Sequence, residues 1–128
     1  MRFSALPLLA TFLSATLPIV SAKCYNNDDL SIDWGGSRVT ADGTNDIACY
    51  QANGAFAGTF GPGETKRYCV TYRSGPSKND RSLFFEITNL NTGASFDLGN
   101  DDCKNRLHDE VWGCGAGGES TIAGWKFR

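Results

Sequence analysis

Hydrophobic and polar residues alternate along two stretches of this chain, TKRYCVTYR (residues 65–73) and SLFFEITN (residues 82–89). A period of two places apolar side chains on one side of an extended backbone and polar ones on the other. Both stretches are also rich in β-branched and aromatic residues, which favour strands. The apolar side carries Tyr68, Val70, Tyr72, Leu83, Phe85 and Ile87, and the opposite side carries Arg67, Cys69, Thr71, Arg73 and Glu86.

Turn residues between the apolar stretches predict two hairpins. AFAGTF (residues 55–60) and the stretch 65–73 flank the turn GPGE, so we expect them to pair. SLFFEITN and ASFDL (residues 94–98) flank NLNTG and should form a second pair, after the polar loop SGPSKNDR. The stretch TIAGWKFR (residues 121–128) predicts a final strand, with Lys126 on the side opposite Trp125 and Phe127.

Two segments predict helices. Thr44 is a candidate N-cap for a helix over residues 45–53 that Gly54 would close, although a start near Ser37 is an alternative if the helix tolerates Gly43.

The clearer helix is NDDCKNRLHDEVWGC (residues 100–114). Asn100 is expected to cap it and Gly113 to end it. The four-residue spacing of Cys103, Leu107 and Val111 predicts one buried face, and Arg106 and Glu110 are spaced for a surface ion pair.

This order of elements predicts an α+β fold, a two-layer sandwich in which two helices pack on one face of an antiparallel sheet of four to five strands. The other sheet face would stay open and locally basic. It is either a plain solvated surface or a binding surface. Its candidate ligand-binding residues are Arg67, Thr71, Arg73, Glu86 and Lys126.

The N-terminus has the pattern of a secretory signal peptide. After Arg2, an apolar run reaches Val20 and ends in the small residues Ser21 and Ala22, so we expect cleavage to leave a single domain over residues 23–128. That domain would have 11 basic and 14 acidic residues and a net charge of −3. We therefore expect a secreted, extracellular protein with no nucleic-acid partner and no stable membrane insertion.

All five cysteines, Cys24, Cys49, Cys69, Cys103 and Cys114, fall within this small domain. Cysteine-rich secreted domains of this size commonly use disulfide bonds as covalent staples. A zinc site is not expected because the chain has no C-x-x-C pair and one histidine. We expect no cofactor and no metal.

Several segments carry a resemblance that spans the mature chain: Cys24, Trp34, Ala48-Cys49, GAFAGTFGPGETKRYCV, FEITNLNTGASFDL, CKNRLHDEVWGCGAGGEST and GWKFR. In these features the chain resembles small secreted fungal proteins grouped with a mushroom glycan-binding protein. Its layout is also similar to the killer-toxin fold of smut fungi.

The resemblance implies the disulfide pairs Cys24 with Cys114 and Cys49 with Cys103. In the family pattern, the cysteine at the place of Cys69 pairs with one a few residues beyond the W-x-F-R stretch, whereas this sequence ends at Arg128. Cys69 is therefore the candidate unpaired thiol. Three explanations stay open, a truncated C-terminus, which we favour, a buried thiol or a dimer through Cys69.

Catalysis is not expected. A nucleophilic triad would need His108, which lies beside Asp109 on a predicted surface helix. The nearest ribonuclease-like set, Glu86 with Arg67 and Arg73, would lie on the other layer from that histidine.

Binding is the favoured function. Sugar recognition combines aromatic platforms with fixed polar groups, and Trp34 and Trp112 are candidate platforms beside the polar residues of the open face. We expect a lectin-like protein that binds a glycan or another cell's surface component. The alternatives are a killer-toxin-like toxin or host-directed effector acting on a membrane protein and, less favoured, a ribonuclease-like enzyme.

Overall fold

The computed structural model describes residues 20–25, 38–50, 53–73 and 80–128, with the backbone alone described at 72, 73, 80 and 81. Two helices and seven strands follow one another in these residues, and they confirm the predicted α+β class. The elements are β1 (Ser21–Cys24), α1 (Arg38–Tyr50), β2 (Thr59–Phe60), β3 (Thr65–Arg73), β4 (Asp80–Asn89), β5 (Phe96–Asp97), α2 (Asn100–Gly113), β6 (Gly118–Ile122) and β7 (Trp125–Phe127).

Five strands form the main sheet in the order β1-β6-β7-β4-β3, with antiparallel neighbours throughout. The long central pair is β3 with β4, in which Cys69 lies opposite Phe84 and Arg67 opposite Glu86. Strands β2 and β5 form a separate two-stranded sheet.

Both predicted hairpins are wrong in their pairing. Strand β3 pairs with β4 and not with the preceding segment, of which Thr59–Phe60 alone is strand, and β5 pairs with β2 and not with β4. The lengths of the strands and their alternating patterns explain the observed pairing. Strands β3 and β4 have nine and ten residues of matched alternation, so their mutual pairing forms far more cross-strand contacts than either could make with a two-residue strand.

The predicted final strand is instead a hairpin. Strands β6 and β7 pair across a turn in which Ala123 and Gly124 have φ angles of 50° and 81°. Left-handed backbone conformations at both central positions are typical of tight hairpin turns. The stretch 121–128 therefore reverses direction in its middle and supplies parts of two strands.

Helix α1 begins at Arg38, close to the alternative start near Ser37, and not at Thr44. Thr44 is buried inside the helix, where its hydroxyl donates to the Thr40 carbonyl at 2.8 Å. Gly43 is exposed on the helix surface and is tolerated there.

Helix α2 confirms the predicted buried face, because Cys103, Leu107 and Val111 are all buried. Its N-cap is Gly99 and not Asn100. The predicted ion pair with Arg106 is also wrong, because Glu110 is buried and Arg106 lies 3.9 Å from Asp109 instead.

The core lies between the helices and one face of the main sheet. Phe56, Phe60, Ile87, Leu107 and Phe127 are buried there, and half-buried Trp125 packs against them.

Disulfides Cys24–Cys114 and Cys49–Cys103 fasten this layer, the second joining α1 to α2, and both confirm the pairs that the resemblance implies. Cys69 is free and exposed.

The described part of the expected signal peptide includes Ser21 and Ala22, which pair with Thr121 and Ser120 at the start of β1. Lys23 and Cys24 continue the strand opposite Glu119 and Gly118. Within the described ranges, no helix is long and apolar enough to cross a membrane.

Candidate functional site: the open face of the sheet

Among the described residues, one face of the main sheet carries no helix, since both described helices pack on the other face, where alternate strand residues are buried. Strand alternation sends the remaining side chains to the uncovered side. We call this side the open face and define it by Arg67, Cys69, Thr71, Phe84, Glu86, Glu119, Lys126 and Arg128.

Arg67 and Glu86 form a cross-strand ion pair at the centre of the open face. They lie opposite each other in β3 and β4, and Arg67 Nε donates to Glu86 Oε2 at 2.7 Å. The Glu86 side chain is 13 % exposed and that of Arg67 is 61 % exposed. The pair thus holds the carboxylate and leaves most of the guanidinium accessible to a ligand.

A second polar cluster joins Tyr25, Glu119 and Lys126. The Tyr25 hydroxyl donates to Glu119 Oε2 at 2.9 Å, and Lys126 Nζ lies 3.3 Å from the same oxygen. The tyrosine hydrogen bond, with a further contribution from Lys126, lowers the pKa of Glu119. Burial, together with the bond to Glu119, raises the pKa of Tyr25 to about 12. At neutral pH this cluster therefore has a charged carboxylate and a neutral phenol.

Arg128 lies between two aromatic rings. Its guanidinium carbon is 5.4 Å from the centroid of Tyr25 and 5.8 Å from that of Phe84, distances typical of cation–π contacts. Its backbone exchanges two hydrogen bonds with Glu86, at 2.8 and 2.9 Å, which continues the β7 ladder by one residue. The Phe84 ring stays 44 % exposed.

The far end of the open face is polar but uncharged in its described side chains. Thr71 Oγ1 and Ser82 Oγ lie 3.0 Å apart across the β3–β4 pair. Cys69 lies between this hydroxyl pair and Arg67, on the same side of β3. The open face thus changes from charged at its centre to hydroxyl-rich at one end.

The structure brings four of the predicted ligand-binding residues, Arg67, Thr71, Glu86 and Lys126, to this face. The Arg73 backbone continues β3, but its side chain lies outside the described part of the chain, and so does Trp34.

Trp112 lies away from the open face, on the exposed side of helix α2. Its ring centroid is 5.9 Å from that of His108 and 5.9 Å from the guanidinium carbon of Arg38. His108 Nδ1 is 2.8 Å from Asp42 Oδ1, so this histidine bridges the two helices. The predicted site residues therefore divide between two opposite surfaces.

Four residues at this site were not expected from the sequence: Phe84, Glu119 and Arg128 of the open face, and Tyr25, which bonds Glu119. Residues two positions apart in a strand lie on the same face, so Glu86 could have identified Phe84, and Lys126 could have identified Arg128. Glu119 and Tyr25 depend on the pairing of β1 with β6, which carries no local signal.

Within the described residues, no group of three or more histidine, cysteine or acidic side chains could hold a metal ion. Comparison of the chain with protein-family models, with curated proteins and with solved structures finds no match.

Proposed function

We propose that this protein is a secreted, non-enzymatic glycan-binding protein whose ligand binds on the open face. The observation that carries the proposal is the exposed Phe84 ring, which is flanked by polar side chains held in place by their neighbours. The apolar side of a sugar ring stacks on an aromatic ring, while its hydroxyls need donors and acceptors nearby.

The polar groups beside Phe84 support this chemistry. The Arg67 guanidinium donates, the Glu86 carboxylate accepts, and the two groups already contact each other at 2.7 Å. Arg128 is likewise held between two rings. Because these side chains are ordered before binding, a ligand would pay less of the entropy cost of ordering them.

The positions of two titratable groups argue against the ribonuclease-like alternative. His108, which is the chain's one histidine, lies on the helical layer, and Glu86 lies on the opposite side of the sheet. An acid and a base must both reach one substrate, and these two groups face opposite sides of the domain. The two disulfides support an oxidising, extracellular location.

A glycan array probed with the folded chain tests the function, with a reduced and alkylated sample as the unfolded control. We expect fold-dependent binding to a chemically related set of glycans. A blank array from protein shown to be folded would contradict the proposal and favour growth-inhibition assays of the toxin alternative.

Two matched variants then test the site. Phe84→Ala should weaken binding of the best array ligand by about two- to tenfold, because a stacked aromatic contributes about 0.5–1.5 kcal/mol. Phe96→Ala removes a phenylalanine of nearly equal exposure, 45 %, from the two-stranded sheet and should leave the affinity unchanged. Equal losses from both variants, measured by calorimetry, would reject the open face as the site.

A further inference from the structure

Strand β3 is an edge strand of the main sheet in the part of the chain that the structure describes. It has β4 on one side, and among the described residues no strand lies on its other side. An edge of nine residues is long enough to template pairing with another chain, and natural proteins usually protect such edges with free charges, prolines or bulges.

The hydrogen-bond pattern identifies the outward-facing groups of β3. Glu86 exchanges both of its backbone hydrogen bonds with Arg128, on the β7 side of β4. In an antiparallel sheet the direction of these groups alternates, so Phe85 faces β3 and bonds Tyr68, its opposite residue. It follows that Arg67, Cys69 and Thr71 point their N–H and C=O groups to the free edge.

The described residues in the middle of this edge lack the usual protection. Residues 65–73 contain no proline. The strand has three cations, and the two whose side chains are described are held within their own domain, because Lys66 Nζ donates to the Ala57 carbonyl at 2.6 Å and Arg67 is bonded to Glu86. Each of these two cations therefore already has a partner within its own domain.

The edge is also self-complementary. Cys69 is the central residue of Thr65–Arg73, so two copies aligned antiparallel in full register place Cys69 opposite Cys69. In the same register Arg67 lies opposite Thr71 of the second copy, and half-buried Tyr68 lies opposite half-buried Val70. None of these described pairs opposes two like charges.

From these observations we propose that the free edge of β3 pairs with β3 of a second copy of this chain about a two-fold axis at Cys69. The pairing adds about six backbone hydrogen bonds from Arg67, Cys69 and Thr71 of the two copies. It joins two five-stranded sheets into one and places their open faces side by side. The inference is independent of the ligand proposed for that face.

The same register permits a covalent link between the copies. Residues that exchange backbone hydrogen bonds have Cα atoms about 5.5 Å apart, within the range of disulfides. With oxidised glutathione as the oxidant, one Cys69 thiolate attacks the glutathione disulfide and releases one glutathione. The thiolate of the other copy then attacks the Cys69 sulfur of that mixed disulfide and releases the second glutathione.

Non-covalent pairing is tested by sedimentation over a range of concentrations, in a Cys69→Ser background. Thr71→Glu places a carboxylate opposite Arg67 of the second copy, whereas Thr71→Arg places a like charge there. Because each charge pair occurs twice, we expect the glutamate variant to dimerise about tenfold more tightly than the arginine variant. Equal dimerisation of the two variants, or monomers at every concentration, would overturn the proposal.

Cross-linking tests the register. With oxidised glutathione, the chain with its native Cys69 should give a dimer whose linking peptide joins Cys69 to Cys69 by mass spectrometry. The matched control, Cys69→Ser with Thr71→Cys, moves the thiol two residues along the same face, where its Cα would lie roughly 13 Å from its counterpart and could not be bridged. Equal cross-linking of both chains, or glutathione-capped monomer alone from the native thiol, would reject the two-fold register.

Discussion

Buried Glu110 illustrates how an individual residue departs from its expected role. It follows Leu107 by three positions and Cys103 by seven, which is the spacing of the buried helix face. Its charge favoured an exposed ion pair, but its position in the helix places the carboxyl group against Gly118, where an added Cβ would lie 2.8 Å from Glu110 Oε2. Burial raises the pKa of Glu110, while a hydrogen bond with Ser120 opposes that rise.

The raised pKa of Glu110 predicts a pH-dependent stability. A folded-state pKa above the unfolded one means that the folded state favours the proton, so the contribution is greatest at low pH and is lost as pH rises through the folded pKa. Glu110→Gln should therefore be more stable than the parent chain at pH 7, and the difference should shrink toward pH 4. Urea unfolding of both chains at several pH values measures this difference in stability.

Glu119→Gln provides the control of opposite sign. The pKa of Glu119 is lowered, so its stabilising contribution is present above its unfolded pKa and is lost as pH falls through the folded pKa. This variant should be less stable than the parent at pH 7 and should approach it in acid. If the stability of both variants relative to the parent changed with pH in the same direction, the opposite pKa shifts of Glu110 and Glu119 would be contradicted.

The open-face residues show which site residues the sequence could predict. Arg67, Thr71, Glu86 and Lys126 were placed by alternation within single strands, which needs no knowledge of pairing. Tyr25 could not be placed in this way, because its contact with Glu119 joins residues 94 positions apart. Local periodicity assigns a side chain to a face, whereas its neighbours on that face depend on strand order.

At the scale of elements, the two-stranded sheet is the part that sequence patterns assigned incorrectly. Phe60 of β2 is fully buried and meets Trp125 of β7 edge-on at 5.1 Å between centroids. The glycine-containing turn after Phe60 suggested a hairpin with the next strand. Long-range packing determines where β2 lies, and a turn signal contains no information about such packing.

Asn89 connects this small sheet to the main one. Its buried side-chain amide donates to the carbonyls of Gly61 and Ala94 at 2.9 and 3.0 Å, and its oxygen accepts from Asn91 N–H at 3.0 Å. Asn89→Ala should lower the free energy of unfolding by about 2–4 kcal/mol, because three hydrogen bonds are lost and two carbonyls lose a buried partner.

Asn91→Ala is the matched control for that change. Asn91 is exposed and its side chain accepts only local hydrogen bonds, from Gly93 and Ala94, so we expect a loss of about 1 kcal/mol. Chemical denaturation of both variants provides the comparison. If Asn89→Ala lowered the free energy of unfolding less than Asn91→Ala, the hydrogen bonds of Asn89 would not be what holds the small sheet against the main sheet.

At the scale of the whole molecule, the sequence predicted the layers, because amphipathic helices and alternating strands each have one apolar side to bury. The result is a domain with two distinct surfaces. The open face combines Phe84 and Arg128 with fixed ion pairs, whereas the helical surface presents Trp112 beside His108. Each surface contains an exposed aromatic ring and at least one residue predicted from the sequence to bind a ligand, so the helical surface competes with the open face as the binding site.

The most direct way to decide which surface binds the ligand is NMR. Backbone amide shifts are followed during titration with the strongest array ligand. If the open face binds glycan, the largest shifts will occur in β3, β4 and β7, around Arg67, Phe84 and Lys126. Shifts concentrated around Trp112 and His108 on the helical surface would contradict this account of the site.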